Sequence, residues 1–214
     1  MLTACKNEKT SEKFLVKSTE EVNVKLQLVK LVDTVANVTE YYSIDELEQK
    51  QGKSWVINYA GDTTMQCYYY NDTVLNYYYI YENNSLTAIK SRRIVDGRYG
   101  LQDWIIVDSL GQIEYSKSCF IDWNYDFSRI LRIRERQINF DGRFYCGDKT
   151  IQGIKYQSIL NGIPSDTLSI NADFFSISNS NLVEGINRIE LHVQTIFSDS
   201  SWLGHEYIIF VGVE

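Results

Sequence analysis

Apolar and polar residues alternate one by one along much of this chain, and this period of two limits its fold more than any other feature. In the segment 186–197, Ile189, Leu191 and Val193 alternate with polar residues. A strand places successive side chains on opposite faces of a sheet, so the pattern predicts strands with one covered face. The sixteen tyrosines and the single proline agree with this, because aromatic residues favour strands and proline interrupts them. We therefore predict an all-β protein.

The middle of the chain predicts a meander of short antiparallel strands. Turn-forming pairs such as Asn71-Asp72, Asn83-Asn84 and Asp96-Gly97 separate the apolar runs. Because tight turns join strands that are neighbours in a sheet, we expect these runs to pair in sequence order. The predicted strands are 55–59, 65–70, 74–81, 86–95, 103–108 and 112–121.

The segment before this meander fits two structures. Val22 and Val24 alternate with polar residues as in a strand, whereas Ser18 and Glu21 have the spacing of a helix capping box. We predict a strand that runs to about residue 31.

From about residue 127 the predicted strands become longer and the loops more polar. These strands are 154–160, 166–177, 186–197 and 205–213. The run 182–191 resembles the penultimate hairpin of bacterial immunoglobulin-like domains, in which a Gly-x-Asn turn enters a strand of alternating apolar residues. The resemblance implies an immunoglobulin-like β-sandwich.

A second resemblance lies in the middle segment. Residues 95–100, Trp104 and residues 108–113 resemble one unit of the bacterial MORN-type repeat, which reads aromatic, Asn/Asp-Gly-Lys/Arg, Gly, Trp and a glycine turn. The interval from Gly97 to Trp104 is longer than in the usual repeat. The resemblance implies a hairpin with the tryptophan packed across the strand pair.

Residues Leu2-Thr3-Ala4-Cys5 resemble the lipobox at which bacterial lipoprotein precursors are cut. The small Ala4 leaves room for the processing enzymes, and residues 6–13, which follow, are all polar. The resemblance implies that Cys5 carries acyl chains, whose methylenes each contribute about 0.8 kcal/mol to membrane binding. We therefore predict a Bacteroidota-type outer-membrane lipoprotein in which residues 1–20 form the lipobox and a flexible tether.

Four Asp-Ser/Thr-aliphatic tripeptides resemble the site at which Bacteroidota attach O-glycans to exported proteins. An aspartate followed by serine or threonine also favours turns, through hydrogen bonds from the backbone to the carboxylate, and turn formation is the alternative reading. The resemblance predicts glycosylation at Thr34, Thr73, Ser109 and Thr167.

Composition and motif spacing disfavour several classes of function. A net charge of −7 opposes binding of nucleic acid, which needs a basic surface. With two histidines and no CxxC or HExxH motif, we expect neither a metal site nor a cofactor. His192 lies on the polar face of a predicted strand and His205 in a predicted turn, and neither accompanies a nucleophile motif. We therefore expect a protein that is not an enzyme.

The cysteines beyond Cys5 allow one covalent cross-link at most. Cys67, Cys119 and Cys146 are an odd number, so in an oxidising compartment at most one pair forms a disulfide. The spacing of the three does not select the pair.

Two groups of side chains are candidate binding surfaces. Tyrosines on two adjacent predicted strands offer flat apolar rings with polar tips, on which a sugar or a partner protein can stack. They are Tyr68, Tyr69, Tyr70, Tyr77, Tyr78, Tyr79 and Tyr81. An arginine stripe on one strand face suits phosphate groups or carboxylates, and it comprises Arg132, Arg134 and Arg136. The structural alternatives are tyrosines covered by the rest of the fold and a solvated arginine face balanced by acidic neighbours.

These features predict three segments: the tether 1–20, an aromatic-rich β-meander domain 21–126 and an immunoglobulin-like β-sandwich 127–214. We predict a lipid-anchored, non-enzymatic binding or accessory subunit of a bacterial envelope assembly, on the periplasmic face or the cell surface of the outer membrane. Its expected partner is a protein. One alternative is a carbohydrate-binding surface lipoprotein, with tyrosines on one exposed concave face. Another is a MORN-like immunity or antitoxin-type binder, with an acidic groove complementary to its target.

Overall fold

The computed structural model describes residues 9–15, 26–95, 98–170 and 172–214, and this part of the chain is all-β, which confirms the predicted fold class. The described residues contain no helix long and apolar enough to cross a membrane. Cys5 and the rest of the lipobox, the capping-box residues Ser18 and Glu21, and the predicted turn at Asp96-Gly97 lie outside the described residues.

The strands up to residue 95 are close neighbours in sequence. They are β1 Lys9–Leu15, β2 Gln27–Asp33, β3 Val38–Ile44, β4 Lys50–Asn58, β5 Thr63–Tyr70, β6 Thr73–Glu82 and β7 Ser85–Val95. Most of the later strands are separated by longer loops. They are β8 Arg98–Ile106, β9 Cys119–Trp123, β10 Leu131–Ile133, β11 Gln137–Cys146, β12 Ile151–Leu160, β13 Ile163–Pro164, β14 Leu168–Ile170, β15 Phe174–Ser180, β16 Gly185–Phe197 and β17 Trp202–Val213.

The chain divides into two compact units. The first comprises Met1–Val74 and Tyr78–Leu86, and the second comprises Leu75–Tyr77 and Thr87–Glu214. The boundary predicted between residues 126 and 127 falls inside the second unit. The reason is that β9, which precedes this boundary, pairs with β11, which follows it, so the two belong to one sheet.

In the first unit, β1 to β6 pair antiparallel in sequence order, as predicted for a meander. The turn residues Asn71, Asp72, Asn83 and Asn84 adopt positive φ angles, the left-handed conformation that asparagine tolerates better than most residues. Residues 9–15, which we assigned to the flexible tether, instead form β1. This strand pairs along its whole length with β2, whose outer backbone groups would otherwise lack partners.

The second unit contains two sheets, as predicted for a sandwich. One has the strand order β7, β8, β9, β11, β15, and the other has the order β10, β17, β16, β12, β13, with β14 also paired to β12. The pair β10 and β17 is parallel. Along β16, alternate residues such as Ile189, Leu191 and Val193 are buried, as their period of two predicts.

The core of the second unit is rich in aromatic side chains. Phe127, Phe140, Phe144 and Tyr207 are almost wholly buried there. Full burial of one large apolar side chain contributes about 1.5–3 kcal/mol to the free energy of unfolding. These aromatic side chains pack in one core with buried aliphatic residues such as Ile189 and Leu191.

Two predicted strands are wrong in extent. The strand predicted at 112–121 begins only at Cys119, because the chain first forms a turn at 109–110 and a 3-10 turn at Tyr115–Lys117. The strand predicted at 166–177 is divided into β14 and β15, which pair with β12 and β11 respectively. The chain therefore passes from one sheet to the other between Ile170 and Phe174, where the sequence Asn171-Ala172-Asp173 is poor in strand-forming residues.

The strand β3 and the longer strand β11 were not predicted, although Ile138, Phe140 and Phe144 on β11 show the period of two. The sequence Asp141-Gly142 within it resembles a turn. Gly142 is there for packing, because a Cβ atom at this position would lie 2.9 Å from the rings of both Phe175 and Trp123.

A disulfide joins Cys119 on β9 to Cys146 on β11, whereas Cys67 is a buried free thiol. The two bonded cysteines are directly paired across the adjacent strands. This pairing settles which two of the three cysteines can meet, a question that their spacing left open.

Candidate functional site

Four strands of the first unit each contribute one residue to a row across the sheet. Tyr41 on β3 pairs with Trp55 on β4, Trp55 pairs with Gln66 on β5, and Gln66 pairs with Tyr79 on β6. Directly paired residues lie on the same face of a sheet, so these four side chains share one face. We call them the aromatic row. All four are partly exposed.

Tyr41 and Trp55 stack on each other within this row. Their ring centroids are 5.3 Å apart and their planes differ by 11°. Such a pair contributes about 0.5–1.5 kcal/mol beyond the area it buries. One face of each ring therefore lies against the other ring and is closed to a ligand.

Gln66 supplies a polar group between the aromatic rings. Its Oε1 accepts a hydrogen bond from the hydroxyl of Tyr81 at 3.3 Å. Its amide nitrogen has no hydrogen-bond partner within the described ranges, so it is a donor that a ligand can use. Burial, followed by the nearby Tyr68, raises the pKa of Tyr81, so its hydroxyl stays protonated.

The opposite face of the same sheet carries a charged group that is already paired. The ammonium of Lys50 lies 2.9 Å from Oε1 of Glu40, 4.0 Å from the ring centroid of Tyr42 and 4.9 Å from that of Tyr69. The hydroxyl of Ser54 donates to the same carboxylate at 3.2 Å. These contacts satisfy both charges, and this face has the properties of an interior surface.

Cys67 lies beside this charged group and is 1 % exposed. Burial raises the pKa of its thiol from the ordinary value of 9.0 to about 11. Burial, and then the proximity of Cys67, likewise raise the pKa of Tyr69. Both groups are therefore neutral near pH 7, and the Cys67 thiol is a poor nucleophile.

The tyrosines predicted as one platform are distributed over different surroundings. Tyr79 belongs to the aromatic row, and Tyr68 and Tyr81 border it. Tyr69 and Tyr78 lie on the face of Cys67.

The remaining two predicted tyrosines lie elsewhere. Tyr70 ends β5 and is partly buried, whereas Tyr77 belongs to the second unit and packs against its core. Sequence reasoning missed Tyr41 as a site residue because it did not predict β3, and missed Trp55 because only the paired register reveals its neighbour. The alternation of residues 38–44 was the available signal for β3.

The arginine stripe is not formed as predicted. β10 ends at Ile133 after three residues of pairing with β17, so the three arginines do not share one strand. Arg132 donates to Oε1 of Glu214 at 3.1 Å, while Arg134 and Arg136 lie exposed in the following bend. An arginine bonded to a neighbouring carboxylate has less capacity left for an anionic ligand.

A buried polar network occupies the second unit. The carboxylate of Asp103 lies 2.9 Å from Nδ1 of His205, accepts from the hydroxyl of Tyr207 at 2.8 Å and contacts the hydroxyl of Ser91 at 3.3 Å. None of the four side chains is more than 3 % exposed. The prediction that His205 lies in a turn is therefore wrong, because it is an inward residue of β17.

This network resembles a catalytic constellation in composition but has no access to a substrate. Burial, and then the charge of Asp103, raise the pKa of Tyr207 well above its usual range, so its hydroxyl stays a donor.

The other histidine, His192, lies 3.7 Å from the carboxylate of Glu190 on the neighbouring part of β16. No group of three or more His, Cys, Asp or Glu side chains within the described ranges is placed to hold a metal ion.

Of the four predicted glycosylation residues, Thr34 and Ser109 lie in turns, Thr73 follows a turn, and Thr167 lies in the loop between β13 and β14. Thr34, Ser109 and Thr167 are exposed and Thr73 is partly buried. Asp33 and Asp108 each accept hydrogen bonds from backbone amides of their turns, as the structural alternative requires. The hydroxyls of Thr34 and Ser109 are also exposed to a modifying enzyme, so both readings fit the geometry of these two tripeptides.

The comparison with known proteins gives structural likeness only. No family model matches the chain, and no curated protein matches it. Among solved structures, the extracellular domain of a protein described as a one component system from B. thetaiotaomicron has a TM-score of 0.27 and 11% identity, covering 87% of this chain and 29% of that one. The extracellular domain of a hybrid two component system from B. thetaiotaomicron has a TM-score of 0.27 and 13% identity, covering 87% of this chain and 30% of that one. The chain thus spans about a third of the length of these structures.

Proposed function

We propose that this chain is a non-enzymatic binding protein of the bacterial envelope, anchored through an acylated Cys5, and that it holds a protein partner through the aromatic row. The observation that carries the proposal is the row itself: Tyr41, Trp55, Gln66 and Tyr79 lie side by side on one partly exposed face. Tyrosine and tryptophan are enriched among the residues that contribute most to binding in protein interfaces.

The geometry of the row favours a protein partner over a saccharide. A sugar ring binds flat against the face of an aromatic ring, whereas Tyr41 and Trp55 cover one face of each other. A protein surface can use ring edges and polar tips together, and the free amide donor of Gln66 provides a directional contact among them.

The charges around the row indicate what the partner offers. The exposed Lys53 on β4 pairs with Tyr68, so its ammonium group lies at the border of the row. The chain as a whole carries a net charge of −7. A partner with an apolar centre and acidic rim residues would be complementary to this face rather than to the rest of the chain.

Three observations support an extracytoplasmic location. The lipobox residues 2–5 and the four Asp-Ser/Thr-aliphatic tripeptides are typical of exported Bacteroidota proteins. Cys119 and Cys146 form a disulfide, a bond that persists in oxidising compartments. With an acyl anchor at Cys5, the binding face would be held at the envelope.

Site-specific photo-cross-linking in the native host tests the binding role. A photoreactive phenylalanine analogue replaces Gln66 in the full-length, acylated protein, and cross-linked products are identified by mass spectrometry. The same analogue at Tyr59, which is 91% exposed and lies outside the row, is the matched control. We expect a discrete protein adduct from position 66 that is absent from position 59 and is lost when Trp55→Ala is added.

Equal adducts from both positions, or adducts that survive Trp55→Ala, would exclude the row as the interface. An adduct with polysaccharide in place of protein would favour the carbohydrate-binding alternative.

Metabolic labelling with an alkyne-bearing fatty acid tests the anchor, since label should enter the natural protein and fail to enter the Cys5→Ser variant. A Cys5→Ser protein that fractionates with membranes like the natural one would exclude the anchor.

A further inference from the structure

β15 is the edge strand of one sheet of the second unit, and its ladder shows which of its backbone groups are unused. The amide of Phe144 donates to the carbonyl of Asp173 at 2.9 Å, which fixes the alternation of hydrogen-bonded pairs between β11 and β15. By that alternation Phe175, Ile177 and Asn179 bond to β11. The backbone groups of the intervening residues point away from β11.

These outward backbone groups have no partners in the described part of the chain. The amides of Ser176, Ser178 and Ser180 donate no hydrogen bond within the described ranges. The usual protections of an edge strand are also missing, because the segment Phe174–Ser180 contains no lysine, no proline and no bulge. The outward backbone groups of β15 are therefore available to form hydrogen bonds with another strand.

A groove of about 380 Å³ runs beside this edge, between β15 and the hairpin of β12 and β13. Its lining is uncharged and mixes apolar with hydroxyl and amide side chains, among them Leu160, Asn161, Ile163, Ser165, Asn179 and Val183. Ile163 is 74% exposed and Val183 55% exposed, so apolar surface remains available along it. An uncharged segment enters such a groove without desolvating a charge.

Asn179 gives an independent indication of an occupant. It lines the groove and is 4% exposed, yet its Nδ2 atom has no acceptor in the described ranges. A buried donor without a partner costs about 1–3 kcal/mol. An added segment that brings a carbonyl or hydroxyl to this position would remove that cost.

We propose that the β15 edge and this groove bind an extended, uncharged peptide segment of another protein, which joins the sheet as an additional strand. Main-chain groups of the segment bond to those of Ser176, Ser178 and Ser180. Its inward side chains, small or aliphatic, pack along Ile163 and Val183. In this mode of binding, main-chain hydrogen bonds between the segment and β15 supply the affinity, and every second side chain of the segment supplies the selectivity.

The test uses a capped nonapeptide of alternating threonine and valine, titrated into the ¹⁵N-labelled full chain. We expect amide chemical-shift changes centred on residues 174–180. The same peptide methylated on every backbone nitrogen should bind at least tenfold more weakly, because it has no main-chain donors. Ser178→Pro removes one outward donor without touching the β11 ladder and should also weaken binding at least tenfold, whereas Ser178→Ala should remain within twofold of the natural chain.

Several results would overturn the proposal. Equal binding of the methylated peptide, equal binding by the Ser178→Pro variant, or shift changes confined to other residues would each do so. A natural chain that is dimeric by light scattering and becomes monomeric on Ser178→Pro would show that the edge serves a second copy of this chain instead. Far-ultraviolet circular dichroism checks that the proline variant is folded, and Ser176→Pro is the substitute variant if it is not.

Discussion

The imidazole of His205 and the carboxylate of Asp103 are 102 residues apart in sequence and lie 2.9 Å from each other inside the second unit. The carboxylate also binds Tyr207 and Ser91 through their hydroxyls. A buried carboxylate is tolerated only when several donors surround it, so these four residues depend on one another.

We expect Asp103→Ala to destabilise the second unit by about 3 kcal/mol, because it leaves His205 and Tyr207 buried without their shared acceptor. Urea denaturation followed by tryptophan fluorescence measures the change in unfolding free energy. Ser91→Ala is the matched control and should cost about 1 kcal/mol, since it removes one neutral donor. An Asp103→Ala variant as stable as Ser91→Ala would contradict the role of the carboxylate as the centre of the network.

Gly142 permits the close packing of three side chains around β11. A Cβ atom there would lie 2.9 Å from Phe175 and Trp123 and 3.0 Å from Ile121. We expect Gly142→Ala to cost about 1–3 kcal/mol by overpacking. Gly204→Ala is the control, because its nearest neighbour would be at 3.5 Å, and it should remain within about 0.5 kcal/mol of the natural chain. Thermal unfolding of both variants makes the comparison.

The disulfide between Cys119 and Cys146 closes a loop with a sequence separation of 27. Restriction of the unfolded chain by a loop of this size is worth about 3 kcal/mol. The double variant Cys119→Ala/Cys146→Ala should therefore unfold at lower denaturant than the natural chain, while added reductant should leave the double variant unaffected. Alkylation under denaturing, non-reducing conditions should label Cys67 and spare these two cysteines, and labelling of either would contradict the pairing.

The pKa of Cys67 gives the first unit a pH-dependent stability. The folded thiol has a pKa of about 11, above its ordinary value of 9.0, so the folded state holds the proton more tightly than the unfolded state. The corresponding stabilisation is complete below about pH 9 and is lost as the pH rises through 11. Unfolding free energies between pH 8 and 11 should fall more steeply for the natural chain than for Cys67→Ala, in which only Tyr69 and other groups titrate. Parallel pH profiles would contradict the assignment.

The period of two was sufficient to predict the fold class and most strands, since it is a local property of the sequence. It did not predict the change of sheet between β14 and β15, because that change depends on distant partners, although Asn171 and Asp173 are residue types that are depleted in strands. The pair Asp141-Gly142, although typical of turns, lies inside β11. Its glycine is required because the rings of Phe175 and Trp123 on the neighbouring strands leave no room for a Cβ atom, and neither residue is near it in sequence.

The candidate site was only partly predictable. The clustering of tyrosines near residues 68–81 is visible in the sequence, but register decides which of them share a face. Gln66 and Trp55 become neighbours through the pairing of β4 and β5, and Tyr41 joins them through β3. Residues that are adjacent in sequence can thus lie on opposite sides of the sheet, as Cys67 does relative to Tyr68.

In the first unit, β1 to β6 pair with their neighbours in sequence. Contacts of such short range form quickly and come apart locally. In a chain tethered at its amino end, mechanical tension would therefore unzip β1 first and β2 next. The aromatic row begins at β3, so it would stay intact after β1 and β2 have both detached from the sheet.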